Sequence, residues 1–457
     1  MIAYAKCLLL KMKYSTRYLA FILVIGFILR IGISFWSFEY RENTDVLRYR
    51  DWARISYLHS LKNTYTTDNL EFGTLANNQP PGSLYVISGM YQINLYSARI
   101  LLKILHGAPG SIQWINGYLL NFYLRLPAMI CDLIISFLIY LFIKKTKSHK
   151  AALSCMSLFL FNPVVLYNSS FWGQMDSINN AFFMSSLYFL SKKRLLLFFT
   201  TFFLSLYIKF SLIFMFPFIL HYAWTLTYPK IKNYASSITI SAFSVLALTL
   251  PFSRTPWLWL YELFIKNAGG EMQNITTFAL NFWWFLYRPI IIIGKPFNNF
   301  EFSEILLIGS PLSQQTFLRL SLEIWGYLLF CIFSGILFYF LFKQNKKVFS
   351  HHIFLILSLV ALSAFMFLPR MHERYMYPLF PLLAIYAGLE KKIQIYYYIF
   401  SFINIINLYL VWHPTLPPLI PYILMTNATF QWSISGISIF CFLKLFYVGI
   451  NYLKYEK

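Results

Sequence analysis

Two aspartates lie among four arginines in one short polar stretch of this chain. Between Arg41 and Tyr85, a segment that begins RENTDVLRYRDWA and ends NNQPPGSLY, Asp45 and Asp51 lie among Arg41, Arg48, Arg50 and Arg54. A carboxylate of ordinary pKa, near ~4, is ionised at neutral pH and can accept a hydroxyl proton. Guanidiniums hold phosphate in a two-pronged grip. Because the stretch directly follows a long apolar segment, it points to proton abstraction beside an anion at a membrane surface.

Four further places carry polar groups at or near the ends of apolar runs. They are Trp172 with Gln174 and Asp176, then Lys209, then Asn281 beside Trp283, and the segment 369–375 (PRMHERY) with Arg370, His372, Glu373 and Arg374. Arg125 and Asp132 lie inside an apolar run, seven residues apart, so a helix places them on one side about 10 Å apart. Charge at that depth is costly and marks either a function or an obligatory partner. Each feature also has a plainer explanation. Asp45 would serve as a helix N-cap, Arg125 with Asp132 as a structural network between helices, and Lys209 as a snorkelling residue at a turn.

No metal chemistry is expected. The histidine of PRMHERY has no second histidine four residues on, and the five cysteines are scattered without CxxC spacing, mostly in apolar runs. They are expected to be small core hydrophobes. The sequons at Asn168, Asn274 and Asn427 matter only in a eukaryotic secretory pathway.

These residues need a scaffold, and composition restricts what it can be. Of 457 residues, 58% are hydrophobic and only 12% charged, about half the charge of an ordinary soluble domain. The backbone must then satisfy itself within helices or a closed barrel, and apolar runs of roughly 20 residues fit helices. The net charge of +22 does not signal nucleic acid, because the basic residues cluster at the ends of apolar runs. That is the topology signal of membrane proteins. The fold class expected is an all-α polytopic membrane protein of about 12 transmembrane helices.

Lys6, Lys11, Lys13 and Arg17 before the first span place the N-terminus in the cytoplasm, and charge alternation brings the C-terminus there as well. Two long outer loops result, at 39–115 and 253–318, each with an interfacial helix. Residues 195–225 read as two short spans that meet at Lys209 on the outer side, which preserves the alternation. No soluble domain, linker or internal repeat interrupts the chain, so 1–457 is one membrane domain.

The runs FNPVVLYNSSFWGQMDS, LYIKFSLIFMFPF and LPRMHERYMYPLFPLL together resemble the GT-C glycosyltransferases. The likeness is greatest to relatives of the mannosyltransferase that adds the second mannose of the GPI anchor, and it covers scattered blocks from about residue 40 to 390. The HER triplet also resembles the HEK triplet of the dolichol-phosphate-glucose-dependent transferases. This resemblance implies a GT-C fold and an inverting transfer of a sugar, mannose by resemblance, from a polyprenyl-phosphate-linked donor on the non-cytoplasmic face. The acceptor would be a glycolipid, a polysaccharide or a protein.

The family's loop acid falls on Asp45, with Asp51 as second choice, since spacing alone does not separate them. Arg374, with Lys209, Arg370 or His372, would stabilise the departing phosphate. Trp172, Gln174, Asp176, Glu373 and Asn281 would bind sugar or brace loops, and neither cofactor nor metal is implied. The membrane would be the bacterial cytoplasmic membrane, with the endoplasmic reticulum as the alternative. A lipid-linked-sugar flippase would instead need charge at mid-membrane and related halves with broken helices. A non-catalytic subunit would need no cavity at Asp45.

Overall fold

The computed structural model describes residues 2–40, 44–66, 75–105, 110–228, 230–269, 273–294, 311–343, 349–411 and 427–455. Parts of the 41–85 stretch, including Arg41, and of the 253–318 loop lie outside them. Counting helices of ten residues or more, the order is α1 (Ile2–Tyr40), α2 (Thr44–Leu58), α3 (Pro81–Ile104), α4 (Leu120–Lys144), α5 (His149–Leu160), α6 (Asp176–Ser191), α7 (Leu195–Ile208) and α8 (Phe216–Thr227). There follow α9 (Ile231–Thr249), α10 (Pro256–Gly269), α11 (Phe282–Gly294), α12 (Leu322–Lys343), α13 (His352–Phe367), α14 (Leu379–Leu389), α15 (Lys391–Val411) and α16 (Ala428–Tyr455).

Among the described residues six stretches are long and apolar enough to cross a membrane, and a seventh if the pair bent by 47° at Phe161–Asn162 is one span. The chain is an integral membrane protein built of helices. The remaining apolar helices are too short for that test, and burial explains how they persist. Every residue of α13 from Ile353 to Phe367 is buried, and a helix that is apolar all round belongs in the centre of a bundle. α14 packs beside it, α4 packs against both α5 and α6, and α4 and α5 also pack against α14.

The helix ends divide into two groups. At one end of the bundle Lys145 donates to Ser191 (3.3 Å), Phe142 stacks near Phe349, and Ser350 N–H donates to Tyr222. The other end gathers α2, the start of α3, Lys209 and the 369–377 segment.

The two-span reading of 195–225 agrees with the chain path. Lys209 is extended (φ −159°, ψ 130°) between α7 and a 3₁₀ turn, Phe210–Met215. Phe199 and Trp224 both contact the Tyr234 ring, so the start of α7 and the finish of α8 lie at the same level. The chain therefore turns back at Lys209.

Arg125 and Asp132 are both buried in α4, and each bonds to α1, as a structural network between helices would. Asp132 accepts from Arg30 Nε of α1 at 2.9 Å, while Arg125 donates to the Ser34 carbonyl (3.4 Å). Two helical turns separate them along α4, and each is satisfied by a different level of α1. Asn168 is fully buried, which removes it as a glycan acceptor.

Candidate functional site

The FNPVVLYNSSFWGQMDS run departs from α-helical geometry twice, and both departures serve one loop. Asn162 caps the turn before Pro163, its Oδ1 accepting from Val164 N–H (2.9 Å), while its Nδ2 donates to Tyr397 and Ser401 of α15. Residues Tyr167–Trp172 then form a π-helical segment, of the kind common at functional sites. Gly173 ends it in the left-handed region (φ 82°). A Cβ there would stand 2.8 Å from Arg125 Cγ and 2.9 Å from Val46 Cγ2, so glycine is required by conformation and by space. The turn presents Trp172, Gln174 and Asp176 side by side.

Asp45, in the first turn of α2, meets this loop. Its Oδ2 accepts from Trp172 Nε1 at 3.0 Å and from Gln174 Nε2 at 2.5 Å. Gln174 Oε1 in turn accepts from the Tyr49 hydroxyl (3.5 Å), and Gln79 Nε2 donates to that hydroxyl (3.3 Å). Burial raises the Tyr49 pKa and the Asp45 charge raises it further, so Tyr49 stays a protonated donor.

The PRMHERY segment supplies the cations. It is fixed by parallel pairing of Met371–His372 with Thr276–Thr277, and Arg370 N–H donates to the Ile275 carbonyl (2.7 Å). Asn404 of α15 holds the Glu373 carbonyl (2.9 Å). Arg374 lies over the Trp172 and Tyr375 rings, each 5.7 Å from its centroid, and donates to Glu373 Oε1 at 2.9 Å. Burial alone lowers the Arg374 pKa, but the charges of Glu373, Asp45 and Asp176 outweigh it and hold the group well above its usual value. Burial likewise raises Glu373, and the His372 contact with the Arg374 and His372 charges reverses this to a net depression. Lys209 Nζ donates to Asp176 Oδ1 at 2.6 Å and sits 5.0 Å over the Tyr375 ring.

These groups surround a cavity of about 350 Å³, within the range of small-ligand pockets. Tyr49, Gln79, Gln174, Asp176, Lys209 and Arg374 form its polar wall, while Phe210, Ile213, Phe214, Phe264 and Leu368 form the apolar one. Asp45 stands behind Gln174 and Tyr49, half-buried. Arg370 also lines the cavity, but it is held by Glu323 (3.1 and 3.2 Å), Ser313 Oγ (3.4 Å) and the Ala268 carbonyl.

The remaining sequence choices fall elsewhere. Asp51 is buried against Arg50 (3.4 Å) and Arg54 (3.9 Å) and does not line the cavity. His372 contacts Glu373 (3.7 Å) and the Tyr375 ring, behind the wall. Asn281 is a loop brace. Its Oδ1 caps α11 through Trp283 and Trp284 N–H, and its Nδ2 donates to the Phe365 carbonyl. Among the described residues no group of three or more His, Cys, Asp or Glu is placed to hold a metal ion.

Sequence reasoning missed Tyr49, Gln79, Glu323 and Arg30. Arg30 carried a usable signal, a charge inside the first apolar span. Tyr49 and Gln79 carried none, since neither type is unusual in a polar loop. No protein-family model matches this chain, and no curated protein matches it either.

Proposed function

We propose that the protein is a GT-C-type glycosyltransferase. It moves a sugar, mannose by resemblance, from a polyprenyl-phosphate carrier to an acceptor hydroxyl. The observation that carries this reading is a cavity lined by Gln174, Arg374 and Lys209 beside a wall of phenylalanines, with Asp45 bonded to Gln174 behind it. Asp45 takes the acceptor proton as the hydroxyl oxygen attacks the anomeric carbon. The bond from that carbon to the phosphate oxygen breaks on the opposite face, with inversion. Arg374 and Lys209 stabilise the charge gathering on the departing polyprenyl phosphate, and fixed cations in a partly dry site give the largest such effects. The apolar wall seats the first prenyl units.

In this reading the shorter helices cross as well, bringing the count to about twelve with both termini cytoplasmic, and the cavity opens on the non-cytoplasmic face. The acceptor belongs to a glycolipid, a polysaccharide or a protein.

Asp176 is the competing base, because it lines the cavity directly. Its Oδ1 is paired with Lys209 and, among the described residues, its Oδ2 has no hydrogen-bond partner; the preference for Asp45 comes from the family resemblance of the first-loop acid. Purified Asp45→Asn in nanodiscs, supplied with polyprenyl-phosphate-mannose, should lose transfer by about 10²- to 10⁴-fold while donor binding persists. Wild-type turnover by Asp45→Asn, with loss in Asp176→Asn, would transfer the role to Asp176. Wild-type turnover by both would sink the mechanism.

A further inference from the structure

The end of the bundle away from the cavity gathers cations without an acid among them. Two turns meet there, α4 to α5 over 144–150 (KKTKSHK) and α6 to α7 over 191–194 (SKKR). Lys145 joins them by donating to Ser191 Oγ (3.3 Å). Lys145 Nζ and Lys192 Nζ both lie over the Tyr188 ring, 5.6 and 5.8 Å from its centroid. Lys144 Nζ lies 5.2 Å from the centroid of the Tyr140 ring. Among the described residues none of these three lysines forms an ion pair with a carboxylate.

The cations feel one another. Burial lowers the Lys145 pKa, and the Lys192 charge lowers it further. His351, at the start of α13, is also lowered, by burial first and in part by the Lys145 charge. Like charges gathered without a counter-ion repel, and an anion between them would relieve the repulsion.

The surface that leads to the lysines selects the anion. Ile130, Ile134 and Phe137 of α4 are exposed, and their spacing of four and three residues sets them on one helix face. Leu141 and Lys144 continue that face by the same steps, at the end of a stretch long and apolar enough to cross a membrane. The Phe137 ring stacks near the Tyr140 ring, 6.3 Å away, over which Lys144 lies. An apolar face that ends in ammonium groups matches a lipid with its acyl chain along α4 and a negative headgroup at the helix end. A free phosphate would meet the cations and leave the face unused. We infer that Lys144, Lys145 and Lys192 bind the headgroup of an anionic phospholipid. This site lies away from the cavity and needs nothing from the transfer reading.

The first test uses the wild type. Reductive methylation read by mass spectrometry follows each lysine in nanodiscs of phosphatidylcholine, alone or mixed with phosphatidylglycerol. Phosphatidylglycerol should slow labelling of Lys144, Lys145 and Lys192 several-fold, and slow Lys391 and Lys392, exposed at the start of α15, much less. The second test is native mass spectrometry of phosphatidylglycerol retained in detergent. One lysine near an anionic lipid is worth about 5-fold, so Lys145→Gln with Lys192→Gln should cut retention by about 30-fold. Lys145→Arg with Lys192→Arg should keep most of it, as should Lys391→Gln with Lys392→Gln. Equal slowing of all five lysines would overturn the site, because the attraction would then be diffuse. Undiminished retention by the Lys145→Gln, Lys192→Gln variant would overturn it too, as would equal protection by inorganic phosphate in phosphatidylcholine nanodiscs. Should that variant not fold, labelling of the wild type decides alone.

Discussion

The protein contains two carboxylate–arginine groupings of similar composition, and they are built for opposite purposes. Asp132 accepts from Arg30 Nε (2.9 Å) and Ser169 (2.5 Å) at one oxygen and from the Tyr377 hydroxyl (2.9 Å) at the other. Arg30 also donates to the Gly26 and Leu160 carbonyls. Both side chains are fully buried. Tyr377 has one proton and gives it to Asp132, so Ser177 must donate to the Tyr377 oxygen (3.0 Å). One carboxylate thereby ties α1, the π-helical Tyr167–Trp172 segment and Tyr377, two residues past the HERY segment, together. Asp45 also has an arginine close by, but Arg374 faces a cavity, and its charge is shared among Glu373, Asp45 and Asp176. The residue types are the same. Openness to a cavity at Arg374 separates the Asp45 grouping from the fully buried one.

The comparison predicts opposite failures. Asp45→Asn should lose nearly all transfer, by the 10²- to 10⁴-fold given above, with normal extraction from membranes and an unchanged melting temperature. Asp132→Ala should fail in folding, because it leaves Arg30 charged and without its carboxylate in the bundle. Removing one partner of a buried pair costs about 3–5 kcal/mol, to be read from thermal unfolding in detergent. Replacing both, as Arg30→Met with Asp132→Leu, should recover much of that loss. If the double variant is no more stable than Asp132→Ala, Arg30 is not what makes the single change costly. If Asp132→Ala is stable and inactive, the two groupings are not distinct.

The sequence made part of this legible. Helical membrane character followed from composition, and the turn at Lys209 from charge alternation, because lipid leaves few alternatives. The segments that build the site were also readable, as polar groups at the ends of apolar runs. Their pairing was not. Seven residues along α4 place Arg125 and Asp132 on one side, yet each reaches a different level of α1. Asp45 and Asp51 could not be separated by spacing, but helix geometry puts them about 9 Å apart along α2, and only Asp45 meets the Gly173 turn. Arg370 looked like a phosphate ligand because Glu323, its partner, lies 47 residues earlier in the chain.

Gly173 gives a smaller effect on the Asp45 side, where Arg125 and Val46 lie against it. Gly173→Ala forces a Cβ into the left-handed region, at about 1–2 kcal/mol, and against Arg125 and Val46. Transfer should fall more than this stability loss alone explains, because Trp172 and Gln174 would no longer meet Asp45 Oδ2. Transfer that falls only in step with folded protein would detach the turn from catalysis.

The smallest effect is in the pH dependence of stability, where two carboxyls outside the spans act in opposite senses. Glu373 is depressed, so its contribution is complete above its unfolded pKa, about 4.3, and is lost as pH falls through the lower folded value. Burial raises Asp51 despite Arg50 and Arg54, so the folded state holds that proton more tightly. Its ionisation therefore costs stability, fully so above the raised folded value. The cost disappears as pH falls below the unfolded pKa, about 3.9. Melting temperatures between pH 3 and 7 should show Glu373→Gln losing part of the acid-side decline, whereas Asp51→Asn should steepen that decline relative to wild type. The same slope change in both variants would mean that the Asp51 and Glu373 environments are not the opposites described, and that the wall behind Arg374 is not held together by its charges.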